Sequence, residues 1–282
     1  MIPKDKLLHH ATTILEKAGI EDARREARLL LSWVLEKGLG SLFLVKSVSL
    51  EDEEKYQNLV MRRAQHEPLA FITGEVGFWT LDFYTSPATL IPRADSEALI
   101  EAVLKIIPDK QKDMSFLDLG TGTGCLLLSA LSEYVNAWGV GIDLSPEAAS
   151  LAQKNAKRNH LATRSFFVAA HWESPMIGQF DLVFSNPPYV KSADIEGLMP
   201  EVSTYEPARA LDGGEDGLDA YRVLLENIPR VLTPNGYVVF EVGVDQIDDV
   251  CVLGQRQGFK EVLRQNDLGG IPRALVLQFI GK

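Results

Sequence analysis

Residues Ser115–Leu119 read as an apolar strand that runs straight into Gly120-Thr121-Gly122-Thr123-Gly124 and then into a helix from Cys125. Few folds accommodate that order. Glycines at a strand-to-helix turn let a ligand approach the backbone closely, and a helix amino terminus favours a negative group. Asp143 stands nineteen residues beyond Gly124, at the end of the next strand, Ala137–Ile142. A carboxylate there can accept hydrogen bonds from both hydroxyls of a ribose. Strand, glycine loop, helix, strand and acid together describe a nucleoside site. The plainer reading is a tight turn, with Asp143 capping a helix that opens at Pro146.

The surrounding pattern fits an α/β sheet. After Asp95, strands are expected at Ser115–Leu119, Ala137–Ile142, Phe166–Ala169, Phe180–Ser185, Tyr237–Val242 and Ala274–Ile280. Helices are expected at Cys125–Tyr134, Pro146–Arg158 and Leu218–Leu232, the last ending in the turn Thr233-Pro234-Asn235-Gly236. Such alternation argues for a mostly parallel sheet with helices on both faces. The first 75 residues differ. Lys6–Ala18 and Ala23–Lys37 carry apolar residues at three-and-four spacing, and a third helix opens at Ser49, with Asp52 at capping-box distance, and runs towards Gln65. From Gly74 the texture turns to VGFWTLDFYT and SPATLIPR, an extended connector or β-hairpin stiffened by Pro87 and Pro92. We therefore divide the 282 residues into a helical domain, 1–73, a hairpin connector, 74–92, and a catalytic domain, 93–282.

The ligand can be narrowed. Dinucleotide sites space their glycines G-x-G-x-x-G, whereas this loop reads G-x-G-x-G, and a P-loop would need Lys and Ser/Thr where Cys125 and Leu126 stand. An adenosine with a carboxylate and no phosphate describes S-adenosylmethionine. The loop and the strand ending in Asp143 thus resemble the first two motifs of the class I methyltransferases, which implies a Rossmann-like sheet. A further motif, Asn186-Pro187-Pro188-Tyr189, closes the strand Asp181–Ser185. Its prolines fix the backbone and remove amide donors, leaving carbonyls for a ligand. Asn186 adds a side-chain acceptor, so an NH2 group suits the motif: one hydrogen to Asn186, the other to a main-chain carbonyl such as that of Pro187. Tyr189 supplies a flat wall against a planar substrate. Alone, the motif reads equally as a rigid loop. Ligands bind outside the carboxyl ends of such strands, where all three motifs would converge.

Asn-Pro-Pro-Tyr restricts the methyltransferases to those that alkylate a planar nitrogen: amino groups of adenine or cytosine, or the glutamine side-chain amide. The run PLAFITGEVGFWTLDFYTSPATLIPRADSEALIE, at residues 68–101, closely resembles the connector of the release factor N(5)-glutamine methyltransferases. So do the helical amino-terminal segment and the stretch from Glu206-Pro207 through Leu211-Asp212-Gly213-Gly214 to Asp216-Gly217. Where that family usually reads IPRPDTE, this chain has Ala94 and Ser96. The resemblance implies that Gly120, Thr121, Gly122, Thr123, Gly124, Asp143, Trp172 and Asn186 contact S-adenosylmethionine, which leaves as S-adenosylhomocysteine. It implies that Asn186, Pro187, Pro188 and Tyr189 hold the substrate glutamine. The segment Ala170-His171-Trp172-Glu173 matches only loosely around its aromatic, and the plainer reading of Trp172 is ordinary core. The implied partner is a release factor carrying Gly-Gly-Gln, docked on the helical domain. The alternative is an amino-methyltransferase of adenine in DNA or RNA.

Charge weighs against that alternative. Lys plus Arg is 28 and Asp plus Glu 39, a net of −11; residues 1–75 carry 11 basic and 12 acidic side chains, so the remainder carries −10. That balance does not collect phosphate backbones, and no nucleic-acid or membrane partner is expected. Two cysteines, Cys125 and Cys251, cannot build a disulfide framework, and no apolar signal opens the chain, so the expected compartment is the cytoplasm. Metal-ligand spacings are absent, so no metal is expected. His171 and Cys125 lie near the proposed site but read as a hydrogen-bonding residue and as packing. His9 and His10 are adjacent and cannot share one helix face, and Glu51–Glu54 form a favourable first helical turn.

Overall fold

The computed structural model describes residues 1–172 and 178–281, arranged as two compact units. Unit one comprises Met1–Gly74 together with Met199–Tyr205, and unit two comprises Glu75–Leu198 and Glu206–Lys282.

In unit one, β1 (Ile2–Pro3) leads into α1 (Lys4–Lys17) and α2 (Ala23–Val34); β2 (Ser47–Val48), antiparallel to β1, precedes α3 (Leu50–Ala64) and α4 (Leu69–Thr73). Ser49 caps α3, its hydroxyl accepting from Asp52 N at 3.0 Å, as the sequence pattern requires. Leu7, Leu15, Leu30, Leu31, Tyr56 and Val60 form a buried core between the helices. Arg63, at the end of α3, is 6% exposed and donates to Glu26 and, at 3.0 Å, to Glu201. That ion pair holds Met199–Tyr205 in the unit, although this segment follows the Asn-Pro-Pro-Tyr motif in the chain.

Unit two begins with the antiparallel hairpin β3 (Glu75–Phe78) and β4 (Leu81–Tyr84), then α5 (Glu97–Ile106). Next come β5 (Ser115–Leu119), α6 (Cys125–Glu133), β6 (Trp138–Asp143), α7 (Pro146–Arg158), β7 (Ser165–Ala169) and β8 (Phe180–Ser185). After the short helix α8 (Pro200–Tyr205) of unit one, the chain continues through α9 (Asp219–Asn227), β9 (Leu232–Glu241), α10 (Ile247–Arg256), β10 (Phe259–Asn266) and β11 (Pro272–Phe279). One seven-stranded sheet results, in the order β10-β11-β9-β8-β5-β6-β7. Strands β5 to β9 are parallel, and β11 runs antiparallel to both its neighbours. The mostly parallel sheet expected from the alternation is present.

Side-chain alternation builds a core on each face. Phe116, Leu182, Phe184, Val239 and Val276 pack with α5 and α6, while Leu117, Val183, Val238, Phe240 and Leu275 pack with α9 and α10. The sequence pattern predicts one helix over Leu218–Leu232; α9 instead stops at Asn227 and passes into a 3-10 turn, Ile228–Arg230. Pro229 explains the break: Ile228 keeps α geometry, but Pro229 has no amide N–H to donate back to the carbonyl of Leu225. The residues Thr233–Gly236, expected as a turn before a strand, lie within β9. Leu232 pairs with Phe180 and Tyr237 with Leu182, so the intervening residues leave the register and return.

Candidate active site

The glycine loop after β5 is built for close approach. Gly120, Gly122 and Gly124 have φ of 82°, 54° and 82°, values that side chains with a Cβ rarely adopt. Gly120 N and Thr121 N donate to Ile142 O, and Gly124 N to Thr121 O, which ties the loop to β6. At the end of β6, Asp143 accepts from Gly122 N on Oδ2 and from Ser145 N on Oδ1, each at 2.9 Å. The α7 cap is Ser145, whose hydroxyl accepts from Ala148 N, so Asp143 does not serve as that cap.

A cavity of about 400 Å³ opens at the carboxyl ends of these strands. Gly120, Thr121, Gly122, Thr123, Asp143, Trp172, Asn186 and Pro188 line it, as do Cys125 and His171. The Trp172 ring lies beside Gly120, where a Cβ would sit 3.5 Å from the indole. Gly124, Pro187 and Tyr189 do not line this cavity. Gly124 packs against Ala152, Leu128 and Phe167. Tyr189 lines a separate cavity and donates its hydroxyl to Glu241 Oε1 at 3.1 Å. Glu173 lies outside the described residues. Burial pushes the Cys125 thiol up to about 12, the reverse of an activated thiol at a helix start.

Several residues that position the site were not singled out from sequence. Asp118 in β5 accepts from Thr121 Oγ1 at 2.7 Å, and burial pushes its carboxyl up to about 7. Asn155 of α7 is fully buried; its Nδ2 donates to Thr123 O and Tyr84 O and its Oδ1 accepts from Tyr84 N, joining the glycine loop to the hairpin. Glu206 accepts from Ile91 N at 3.0 Å and from Arg93, fixing the wall that carries Thr89 to Arg93. Asn186 Nδ2 donates to Ser96 Oγ at 3.3 Å, and Ser96 donates to Glu241 Oε2 at 2.5 Å. Nδ2 spends one of its two hydrogens there, which sets the turn of the amide and leaves Oδ1 as its acceptor for a ligand. The signal that could have pointed to Glu241 is an acid at the end of an apolar strand.

Comparisons with known proteins agree with this architecture. Residues 6–74 match the PrmC N-terminal domain family, and residues 110–267 match a methyltransferase domain family. A methyltransferase structure from Pyrococcus furiosus is 20% identical, with a TM-score of 0.52 over 72% of this chain and 90% of its own, a likeness of fold. The release factor glutamine methyltransferase of Rhodospirillum rubrum is 40% identical over 96% of this chain and 83% of its own length. That of Geobacter sulfurreducens is 39% identical over 96% and 94%, and that of Salmonella typhimurium 36% identical over 96% and 97%. Similarity of this extent, over a class I methyltransferase sheet and its helical amino-terminal unit, shows that the chain belongs to the release factor glutamine methyltransferase family.

Proposed function

We propose that the chain transfers the methyl group of S-adenosylmethionine to the side-chain amide nitrogen of the Gly-Gly-Gln glutamine in peptide chain release factors, leaving S-adenosylhomocysteine. The observation that carries this reading is the Asn186 amide, whose acceptor is set in the wall of the cavity that also holds the glycine loop and Asp143.

The residues fit the cofactor. The glycine loop offers backbone without Cβ atoms, and Asp143 keeps lone pairs beyond its two backbone bonds for the ribose hydroxyls. Beside Gly122, the Thr89 hydroxyl is buried without a hydrogen-bond partner among the described residues, as a group awaiting a polar ligand would be. Gly120–Gly124 and Asp143 would hold the nucleoside end, with Trp172 beside Gly120. Bound S-adenosylmethionine supplies an electrophilic methyl on a sulfonium.

The chain's task is to present a poor nucleophile. An amide nitrogen delocalises its lone pair into the carbonyl, and acceptors on its N–H bonds raise electron density on nitrogen as the new N–C bond forms. Asn186 Oδ1 takes one hydrogen and a main-chain carbonyl of the Asn186–Tyr189 segment the other, so catalysis is positioning and complementarity to the charge that develops. One N–H proton then leaves to water, and no dedicated base is required.

The helical unit is the docking surface in this reading, because a tripeptide offers few atoms to grip and remote contacts must supply specificity. Release factors act at the ribosome, so the work is cytoplasmic. Among the described residues, no helix is long and apolar enough to cross a membrane. The test is transfer of labelled methyl from S-adenosylmethionine, offered in parallel to a release factor and to adenine-containing DNA and RNA. Label on the factor alone is expected; label on nucleic acid with none on the factor would overturn the reading.

A further inference from the structure

Glu241, at the end of β9, is 2% exposed and is linked to both ends of the Asn186–Tyr189 motif, to Tyr189 directly and to Asn186 through Ser96. Its Oε2 accepts from Ser96 Oγ at 2.5 Å, and Ser96 in turn accepts from Asn186 Nδ2 at 3.3 Å. Its Oε1 accepts from the Tyr189 hydroxyl at 3.1 Å. The main chain that carries Glu241 is held as well, since Tyr221 donates its hydroxyl to the Glu241 carbonyl O at 2.7 Å. Ser96 is 3% exposed, so water does not compete for these bonds.

We propose that Glu241 is a positioning residue that sets, through the Ser96 hydroxyl, which end of the Asn186 amide faces the substrate nitrogen. The reason is donor arithmetic. An ionised carboxylate only accepts, so the single Ser96 hydrogen must point to Glu241. The Ser96 lone pairs are then what Asn186 meets, and only Nδ2 can donate to them. Oδ1 is thereby committed to the substrate side, where an NH2 group must find an acceptor. An amide that turned over would present NH2 to NH2 and oppose the positive charge developing on nitrogen. Asparagine amides are nearly symmetric in shape, so sterics do not prevent that turn; the hydrogen-bond polarity does. Tyr189 on the other carboxylate oxygen holds the far end of the motif against the same anchor. Burial raises the Glu241 carboxyl, Asp95 adds to that rise, and Ser96, Tyr189 and Arg273 oppose it; in the structure both of its oxygens stand as acceptors, from Ser96 and from Tyr189.

The inference rests on the acceptor role given to Asn186, and the experiment separates the two. Turnover of the intact release factor is measured for the whole chain and for Asn186→Ala, Ser96→Ala, Ser96→Thr, Glu241→Gln and the Ser96→Ala/Asn186→Ala double variant. Cofactor affinity and melting temperature are measured on each. Ser96→Ala is expected to lower kcat by about tenfold or more while the cofactor Kd stays within about twofold. Ser96→Thr keeps the hydroxyl, as the pattern IPRPDTE does at this position, and is expected to restore kcat. Glu241→Gln can turn its amide oxygen or its NH2 to Ser96, so its kcat falls between wild type and Ser96→Ala. The double variant is no slower than Asn186→Ala, because Ser96 acts only through Asn186. Full activity of Asn186→Ala would remove the acceptor role itself. An inactive Asn186→Ala beside a fully active Ser96→Ala would overturn the relay alone. So would losses that multiply in the double variant, or a Ser96→Thr variant as slow as Ser96→Ala at an unchanged melting temperature.

Discussion

Replacing Asp143 by alanine removes one carboxylate that serves two partners. Backbone partners use one lone pair on each oxygen, Oδ2 for Gly122 N and Oδ1 for Ser145 N, both at 2.9 Å. One acceptor position then remains on each oxygen for the ribose hydroxyls. We take that pair together at about 1.5–3 kcal/mol, the net worth of a charge-assisted bond, because water replaces part of what is lost. The dissociation constant for S-adenosylmethionine should rise about 10- to 150-fold, each 1.4 kcal/mol being about a factor of ten. Losing the clamp on Gly122 should also lower the stability of the cofactor-free protein by about 1–3 kcal/mol. Asp143→Asn sharpens the test. Each carboxylate oxygen faces a backbone N–H, so an amide must turn its NH2 towards one of them, donor against donor. Asparagine should therefore be no better than alanine in stability, despite its matching shape. Titration calorimetry reads the affinity and urea denaturation the stability. A folded Asp143→Ala with unchanged affinity removes Asp143 from the cofactor site, and an Asp143→Asn that matches wild type in both refutes the clamp.

Asn186→Ala should lower kcat by about 10²–10³ with little change in cofactor affinity, and a fall of less than about tenfold would contradict its role as acceptor. A chain starting near Gly74 should bind cofactor yet lose most of its kcat/KM towards the whole release factor; a truncation that methylates the factor at full efficiency would sink the docking role. Arg63→Ala should destabilise the helical unit by about 3 kcal/mol, the low end for a broken buried ion pair because Glu26 and Glu201 keep some solvent access; unchanged thermal unfolding would show the pair to be dispensable. Burial lifts the Asp118 carboxyl to about 7, so the folded state holds a proton that the unfolded state has released above its ordinary value. Stability of the cofactor-free protein should thus fall as pH rises through roughly 4 to 7, relative to Asp118→Asn, and identical pH slopes for the two would contradict this.

The parts of the site that were legible in sequence are those whose chemistry is local along the chain. Gly120–Gly124 and Asn186–Tyr189 each end a strand, and their residue types follow from what the backbone must do there. Asp143 was legible because a strand–helix–strand unit fixes its distance from the loop. Ser96 and Glu241 lie 145 residues apart, and only the pairing of β8 and β9 beside β5 brings them to Asn186. Asn155 was hidden for a like reason: within α7 it reads as one polar residue among several, and only the hairpin at Tyr84 reveals its partners. The fold followed from periodicity where strands are buried on both faces, as in Ser115–Leu119. Helix α10 carries Gly254 within it, and β10 alternates buried with exposed positions at the sheet edge, so neither stood out.

The central claim is tested most directly by locating the methyl. An intact release factor is incubated with the chain and S-adenosylmethionine, digested, and its peptides fragmented in a mass spectrometer. The reading predicts one added methyl, on the side-chain amide of the Gly-Gly-Gln glutamine, absent when Asn186→Ala replaces the wild-type chain. An unmodified glutamine under conditions where the chain turns over cofactor on another acceptor would contradict it.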